Sequence, residues 1–318
     1  MKSMKKAILY LALTLAAVLS FSCKKDNSTT NTVYLEGLYI EEDPVPYVGV
    51  DTPVILTANI SSMYLSDGST LKDPIGIYWC VNGGARDTLT LDASKSNPSF
   101  LYVGEETGEV SIACYAFAGN YYNASYTVSY SIIDPDTSLS GLSGETTIID
   151  GNKFYVSFIN GENWLACNLY GTESGISYHL ADITDSILGK FYTWEEALTA
   201  CPEGWELPSA EQWDSLGADA CSLMADATLL EKQMWTYWPN MQISNAKVFN
   251  AIPAGYVDLT GGDTNVQGFN NYAVFWTRSE AEKEGQAQYR YIYADQNDVQ
   301  SGSGSKTSLA LSVRCIKK

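Results

Sequence analysis

The run from Gly189 to Trp213 constrains the fold more than any other part of this chain, because it encodes a helix, a stop and a second helix start. Trp194, Ala197, Leu198 and Cys201 recur at i, i+3, i+4 and i+7, one apolar stripe of a helix. Pro202 ends that helix, since proline has no amide donor and its ring clashes with the preceding turn. Gly204 to Pro208 then runs extended, with Trp205 and Leu207 facing one way. Ser209 caps the next helix, Gln212 stands in the capping-box position, and Trp213 and Leu216 supply its buried stripe. The pattern predicts helices over 192–201 and 209–218, and a third over 219–233. No residue in the run is an obvious nucleophile or base, so its chemistry is structural.

Upstream the pattern changes from helical to alternating. Pro53–Ile60, Gly76–Val81, Glu109–Ala116 and Ser125–Ile132 read as strands punctuated by Gly, Asn and Asp, and Asn82-Gly-Gly84 is a tight hairpin signal. Residues 33–134 are therefore expected to form an all-β sandwich of immunoglobulin-like or PKD-like type, a spacer by its usual role. Residues 135–145 have the Pro, Asp, Ser and Gly content of a linker that permits some relative motion, and 146–318 are long enough for one further core. Ser301-Gly-Ser-Gly-Ser305 reads as a flexible turn before a last strand, Leu309 to Ile316, in preference to a ligand loop.

Six segments of the second part, Gly161–Leu169, Phe191–Trp194, Cys201–Ser209, Phe249–Gly255, Ala273–Thr277 and Ser312–Cys315, resemble in order and spacing the Fibrobacter succinogenes major paralogous domain. That family is a branch of the C-type-lectin-like fold. The resemblance implies an α+β C-type-lectin-like domain following the sandwich. It also implies a disulfide between Cys201 and Cys315, because in such domains a cysteine of the first helix is tied to one on the last strand.

The other cysteines are Cys80, Cys114, Cys167 and Cys221. Strand parity puts Cys80 on the face opposite Trp79, whereas Val110, Ile112 and Cys114 face inward, so Cys80 and Cys114 are expected to stay free thiols. Pairing of Cys167 with Cys221 is left open.

Residues 1–22 read as a secretory signal, with Lys2, Lys5 and Lys6 ahead of an apolar run from Ala7 to Phe21 that is short for a membrane span. Cys23 ends that run after a small residue, as in bacterial lipoproteins, where the cysteine is acylated; Ser20 and Phe21 depart from the usual pattern, and the alternative is ordinary cleavage nearby. Residues 23–32 would be a tether, and Lys24-Lys25-Asp26 resembles the surface-export signals of Bacteroidetes lipoproteins. The expected location is the outer membrane, lipid-anchored and facing the exterior. The chain carries 19 basic and 37 acidic side chains, and loss of the signal, with three lysines and no acid, moves its net charge from −18 to −21. Such a surface repels phosphate backbones and disfavours nucleic acid as a partner.

His179 is the only histidine, lies in Tyr178-His-Leu180 and is read as a surface or half-buried side chain. The sequence holds no phosphate-cradling Gly-Lys-Thr, no Gly-x-Ser-x-Gly elbow and no His-Glu-x-x-His helix. It also lacks the Glu-Pro-Asn, Gln-Pro-Asp and Trp-Asn-Asp triplets of calcium-dependent lectins, and Asp258 and Asp263 are read as a solvent-exposed turn. No metal or other cofactor is expected. Glu195, Glu196, Glu203, Glu206, Glu211 and Asp214 keep open a glycosidase using paired carboxylates, although solvated helix faces account for most of them.

The remaining chemistry is that of a binding surface. Tyr289, Tyr291 and Tyr293 share one face of a strand with Arg290 and Ile292 on the other, and Asn297 follows in a polar stretch. Tyrosine with Asn, Asp and Gln is the mixture found in antibody paratopes, while a tyrosine-lined strand also serves as core filler. Trp235, Tyr237 and Trp238 are the next candidates. Taken together the sequence suggests a non-enzymatic surface lipoprotein binding a protein or glycan, with a surface-filament accessory protein as the structural alternative. The tyrosine-rich C-terminal part also resembles variable proteins of diversity-generating retroelements.

Overall fold

The structure, a computed structural model, describes residues 32–41, 45–91, 97–236, 241–262 and 264–318. It is mostly β-sheet, divided among several small sheets. Cys23, Tyr237, Trp238 and Asp263 lie outside the described residues.

In the first part, strands Tyr39–Glu41, Pro53–Asn59 and Ser99–Val103 form an antiparallel three-stranded sheet. A five-stranded sheet faces it, in the order Tyr47–Gly49, Ala124–Ile133, Gly108–Phe117, Ile75–Val81, Gly84–Leu91. Alternation produces the core: Val54, Leu56 and Ala58 from one sheet meet Ile77, Trp79, Ile112, Cys114, Val128 and Ile132 from the other. Trp79 stacks on Phe100 across the gap, ring centroids 5.2 Å apart. The expected hairpin is present, with Val81 paired to Gly84 and left-handed φ of 49° at Asn82 and 79° at Gly83. Cys80 and Cys114 are free. Cys114 lies opposite Trp79 and Cys80 opposite Ala113, so parity separates the two sulfurs; Cys80 is nevertheless buried and does not face solvent.

The segment 135–145 is not a bare linker. Asp134 accepts from the Thr137 and Ser138 amides, Leu139–Ser140 pairs with Thr228–Leu229, and the Asn250 side chain clasps the Ser143 backbone in both directions. Contacts also cross between the two parts of the chain. The Tyr47 ring stands edge-on to Tyr178 at 5.4 Å, Lys232 pairs with Glu109, and Ile133 buries itself among Tyr178, Ile187 and Met234.

In the second part, Ile316–Lys317 at the C-terminus pairs with both Glu162–Leu165 and Trp205–Glu206, closing a five-stranded sheet with Glu145–Ile149 and Asn152–Ile159. The helices are short: α1 (Asp185–Leu188), α2 (Trp194–Ala200) and α3 (Ala210–Asp214). Both α2 and α3 begin with a capping box, Thr193 with Glu196 and Ser209 with Gln212. The predicted α2 stripe is narrower than expected, since Trp194 and Ala197 are buried but Leu198 is 42 % exposed. No helix forms over 219–233. Leu223, Met224 and Ala225 are fully buried in consecutive positions, Ala227 is fully buried beyond the exposed Asp226, and Ala225 bonds to the Ala251 backbone. A 3₁₀ turn at Ala220–Ser222 and a hairpin of Thr228–Leu229 with Lys232–Gln233 occupy the stretch.

Cys201 and Cys315 form the expected disulfide, joining the end of α2 to the residue just before the last strand. Cys167 and Cys221 are free: the Cys167 sulfur accepts from the Tyr155 amide at 3.3 Å, and Cys221 lies 3.8 Å from the Asn297 side-chain oxygen.

Four of the recurring sequence segments converge on Arg314, which is fully buried. Its Nε donates to Asn168 Oδ1 at 3.0 Å, Nη1 to the Phe249 carbonyl at 2.7 Å and Nη2 to the Asn250 carbonyl at 2.8 Å. Phe249 and Phe275 lie 4.7 and 5.3 Å from its guanidinium carbon. Burial pulls this guanidinium down to about 10, still charged at neutral pH.

Candidate functional site

The strand Gln286–Tyr293 runs between Tyr272–Glu280 and Gln300–Ser305 in an antiparallel sheet. One face of the central strand carries Arg290 and Ile292, while Ala287 lies on the tyrosine side. Ile292 packs into the core, and Arg290 reaches Asp214 of α3 with Nε at 2.7 Å and Nη2 at 3.0 Å. Tyr289, Tyr291 and Tyr293 occupy the opposite face, and all three are half-buried. They are neither a sealed core nor a bare surface.

Register explains the arrangement. Tyr289 pairs with Trp276 and Gly302, Tyr291 with Val274 and Gln300, and Tyr293 with Tyr272. Trp276 is fully buried and closes one end of the face. Toward the other end Tyr272 stacks on Tyr293 at 4.7 Å and meets Tyr256 nearly at right angles, 84° between the planes. Together with Leu309 and Leu311, the rings of Tyr256, Tyr272, Tyr289 and Tyr291 line a groove of about 280 Å³.

The Ser-Gly repeat has a place in this construction. Gln300–Ser305 is an edge strand, not the flexible turn expected, and its glycines make room for a ring. A Cβ on Gly302 would come within 2.5 Å of Tyr289 Cζ, and one on Gly304 within 2.5 Å of a Leu309 methyl. Gly268 does the same for Tyr272, at 2.7 Å, with a left-handed φ of 66°.

No charged side chain is among the described residues lining the groove. Burial raises the Tyr272 and Tyr289 phenols above the ordinary tyrosine value, with neighbouring tyrosines adding to the shift, so both keep their protons and can donate. Among the described residues, none of the Tyr256, Tyr272, Tyr289, Tyr291 or Tyr293 hydroxyls has a protein hydrogen-bond partner. The groove therefore offers ring faces for apolar contact and phenol hydroxyls for polar contact.

The other sequence candidates fall elsewhere. Asn297 is exposed on the loop after the tyrosine strand, where its carbonyl accepts from the Ala220 amide at 2.8 Å. Trp235 is buried at 2 % exposure, donates Nε1 to the Ala251 carbonyl and is a packing residue, not part of a binding surface. His179 is half-buried between Tyr178 and Tyr47, ring centroids at 4.5 and 6.4 Å, and burial lowers its pKa. Asp258 accepts from the Thr260 amide and hydroxyl in a local turn, and those bonds hold its pKa below the usual value. Of the acidic cluster, Glu196 closes the α2 capping box, Glu206 pairs with Arg278 and Asp214 with Arg290, while Glu195, Glu203 and Glu211 are exposed. Sequence reading missed Tyr256 and Tyr272 as partners of the tyrosine strand. Only the alternation of Tyr272, Val274 and Trp276 hints that they share a face.

The profile of the Fibrobacter succinogenes major domain matches residues 149–317, more than half of the chain, including every segment that carries the resemblance. The chain belongs to this family. No curated protein matches it. Among solved structures it is similar to the CARDB domain of a Pyrococcus furiosus protein in solution, at 14 % identity over 32 % of this chain and 94 % of that one, TM-score 0.24. The crystal structure of that CARDB domain with di-metal ions gives 16 % identity, 33 % and 97 % coverage and a TM-score of 0.24. The Yersinia pseudotuberculosis adhesin InvE gives 12 % identity, 89 % and 70 % coverage and a TM-score of 0.26. Likeness at this level carries no argument about function. Among the described residues no helix is long and apolar enough to cross a membrane.

Proposed function

We propose that this member of the Fibrobacter succinogenes major domain family is a surface lipoprotein that binds a protein or glycan ligand without turning it over. In this reading Cys23 carries the lipid, an immunoglobulin-like sandwich over residues 33–134 is the stalk, and a C-type-lectin-like head over 146–318 presents the site. The observation that carries the reading is the groove itself: half-buried tyrosine rings share one side of a sheet whose opposite side is packed core. Glycines beneath the rings fix their positions before a ligand arrives, which lowers the entropic cost of binding.

Three experiments test this. A soluble fragment starting at Val33 is applied to a glycan array and used as bait for surface proteins; the proposal requires a ligand whose retention is lost on Tyr291→Ala. Metabolic labelling with a fatty acid, comparing the full chain with Cys23→Ala, tests the anchor, and equal labelling of the two would remove it. Release of reducing sugar from a polysaccharide panel, abolished by one carboxylate substitution, would replace binding by hydrolysis. Membership among retroelement variable proteins requires a reverse transcriptase and a template repeat in the neighbouring DNA.

A further inference from the structure

We infer that the groove takes an uncharged sugar chain, bound through one pyranose ring in the corner between Tyr256, Tyr272 and Tyr291; this rests on the groove being the ligand site. Three features of the lining select this chemistry.

The first is charge. The described lining residues are Tyr256, Tyr272, Val274, Tyr289, Tyr291, Leu309 and Leu311, with no cation to receive a uronate or sulfate and no carboxylate to receive an ammonium group. The chain as a whole carries a net charge of −18, which further disfavours an acidic polysaccharide. The ligand must therefore be neutral.

The second is polarity. A wholly apolar occupant would strip water from the phenol hydroxyls and return no hydrogen bonds, costing free energy for every donor left unpaired. A pyranose presents C–H groups on its faces and hydroxyls around its rim. It can lie on a tyrosine ring and bond to neighbouring phenols in the same pose.

The third is ring geometry. Tyr256 and Tyr272 stand at 84°, Tyr272 and Tyr291 at 45° and Tyr289 and Tyr291 at 51°, with centroids 6.0 to 6.3 Å apart. Such rings form a corner that holds one saturated ring by its face and its edge. A proline-rich helix instead needs parallel aromatic ridges that receive successive turns. The volume of about 280 Å³ lies at the small end of ligand sites, in keeping with a few sugar units and not a protein surface.

The test uses the full-length protein extracted in a detergent without a sugar headgroup. Calorimetric titration is run with neutral gluco- and manno-oligosaccharides, an oligogalacturonate and decaproline. The inference expects a neutral oligosaccharide to bind more tightly than the uronate. Tyr291→Ala and Tyr272→Ala should weaken it at least about tenfold, and Tyr291→Phe, which keeps the ring and removes the hydroxyl, about three- to tenfold. Thermal midpoints of the variants establish that they are folded, and the Phe variant serves if an Ala variant is not. Binding of decaproline alone, lost in Tyr291→Ala, would leave the groove as the ligand site and overturn the sugar assignment. Sugar binding that survives both Ala substitutions in folded protein would overturn the site as well. Failure of every neutral sugar to bind rejects the inference outright.

Discussion

Removing the Cys201–Cys315 bridge should destabilise the C-terminal part of the chain by roughly 2–5 kcal/mol. The bridge spans a sequence separation of 114 residues, and in the chain-entropy treatment a loop of that length restricts the unfolded state by about 16 cal/mol/K, or roughly 5 kcal/mol at 25 °C. Measured effects of bridges fall below that limit, because unfolded chains keep some structure of their own. Cys201→Ala/Cys315→Ala is the better variant: Cys315 is fully buried, and a serine there would hide a hydroxyl without a designed partner. Urea unfolding followed by tryptophan emission suits the question, since of the eight tryptophans only Trp79 lies in the first part. With a urea dependence of about 1–3 kcal/mol/M, the midpoint should fall by about 0.7–5 M in the double variant and comparably in reduced wild type. A fall below about 0.5 M in both, with unchanged slope, would refute the claim that this bridge restrains the unfolded C-terminal part.

Arg314→Lys should cost about 3 kcal/mol or more in the same assay, because one ammonium cannot serve Asn168, Phe249 and Asn250 together; a loss below 1 kcal/mol would mean the fork is dispensable. Asp185 is pushed up to about 6, chiefly by burial, so in the folded state it holds its proton more tightly than in the unfolded chain. Its contribution to stability is complete below about pH 4 and lost as the pH rises through about 6. Asp185→Asn should therefore flatten the stability profile between those values, and a profile of unchanged slope would contradict the assignment. Ser209→Ala removes the side-chain acceptor of the Gln212 amide and should cost about 1 kcal/mol by thermal or urea unfolding; no change would show that α3 is held by packing alone.

Local signals were legible where one residue type decides one geometry. Pro202 after Cys201, Ser209 with Gln212, and Asn82-Gly83 between two alternating runs gave helix end, helix start and hairpin in the sequence, and each stands in the structure. The 219–233 segment was illegible for a physical reason. Its buried residues Ser222 to Ala225 are consecutive, so they show no period that separates helix from extended chain. Leu198 misled in the opposite sense: spacing put it on the stripe, but a seven-residue helix packs only its Trp194–Ala197 side. In the candidate site the alternation of Tyr289, Tyr291 and Tyr293 was visible, whereas Trp235 and Asn297 drew attention by type alone and serve packing and a loop contact.

By itself the sequence carried the family resemblance, the sulfur pair that this resemblance implies and the strand that carries the tyrosines, because motifs and alternation are written in consecutive residues. The tertiary structure alone decided that those tyrosines line a groove. The rings that complete it, Tyr256 and Tyr272, and the glycines that give Tyr272 and Tyr289 room, Gly268 and Gly302, come from separate stretches of the chain. Their meeting depends on strand register and packing across the sheet, which no local pattern specifies.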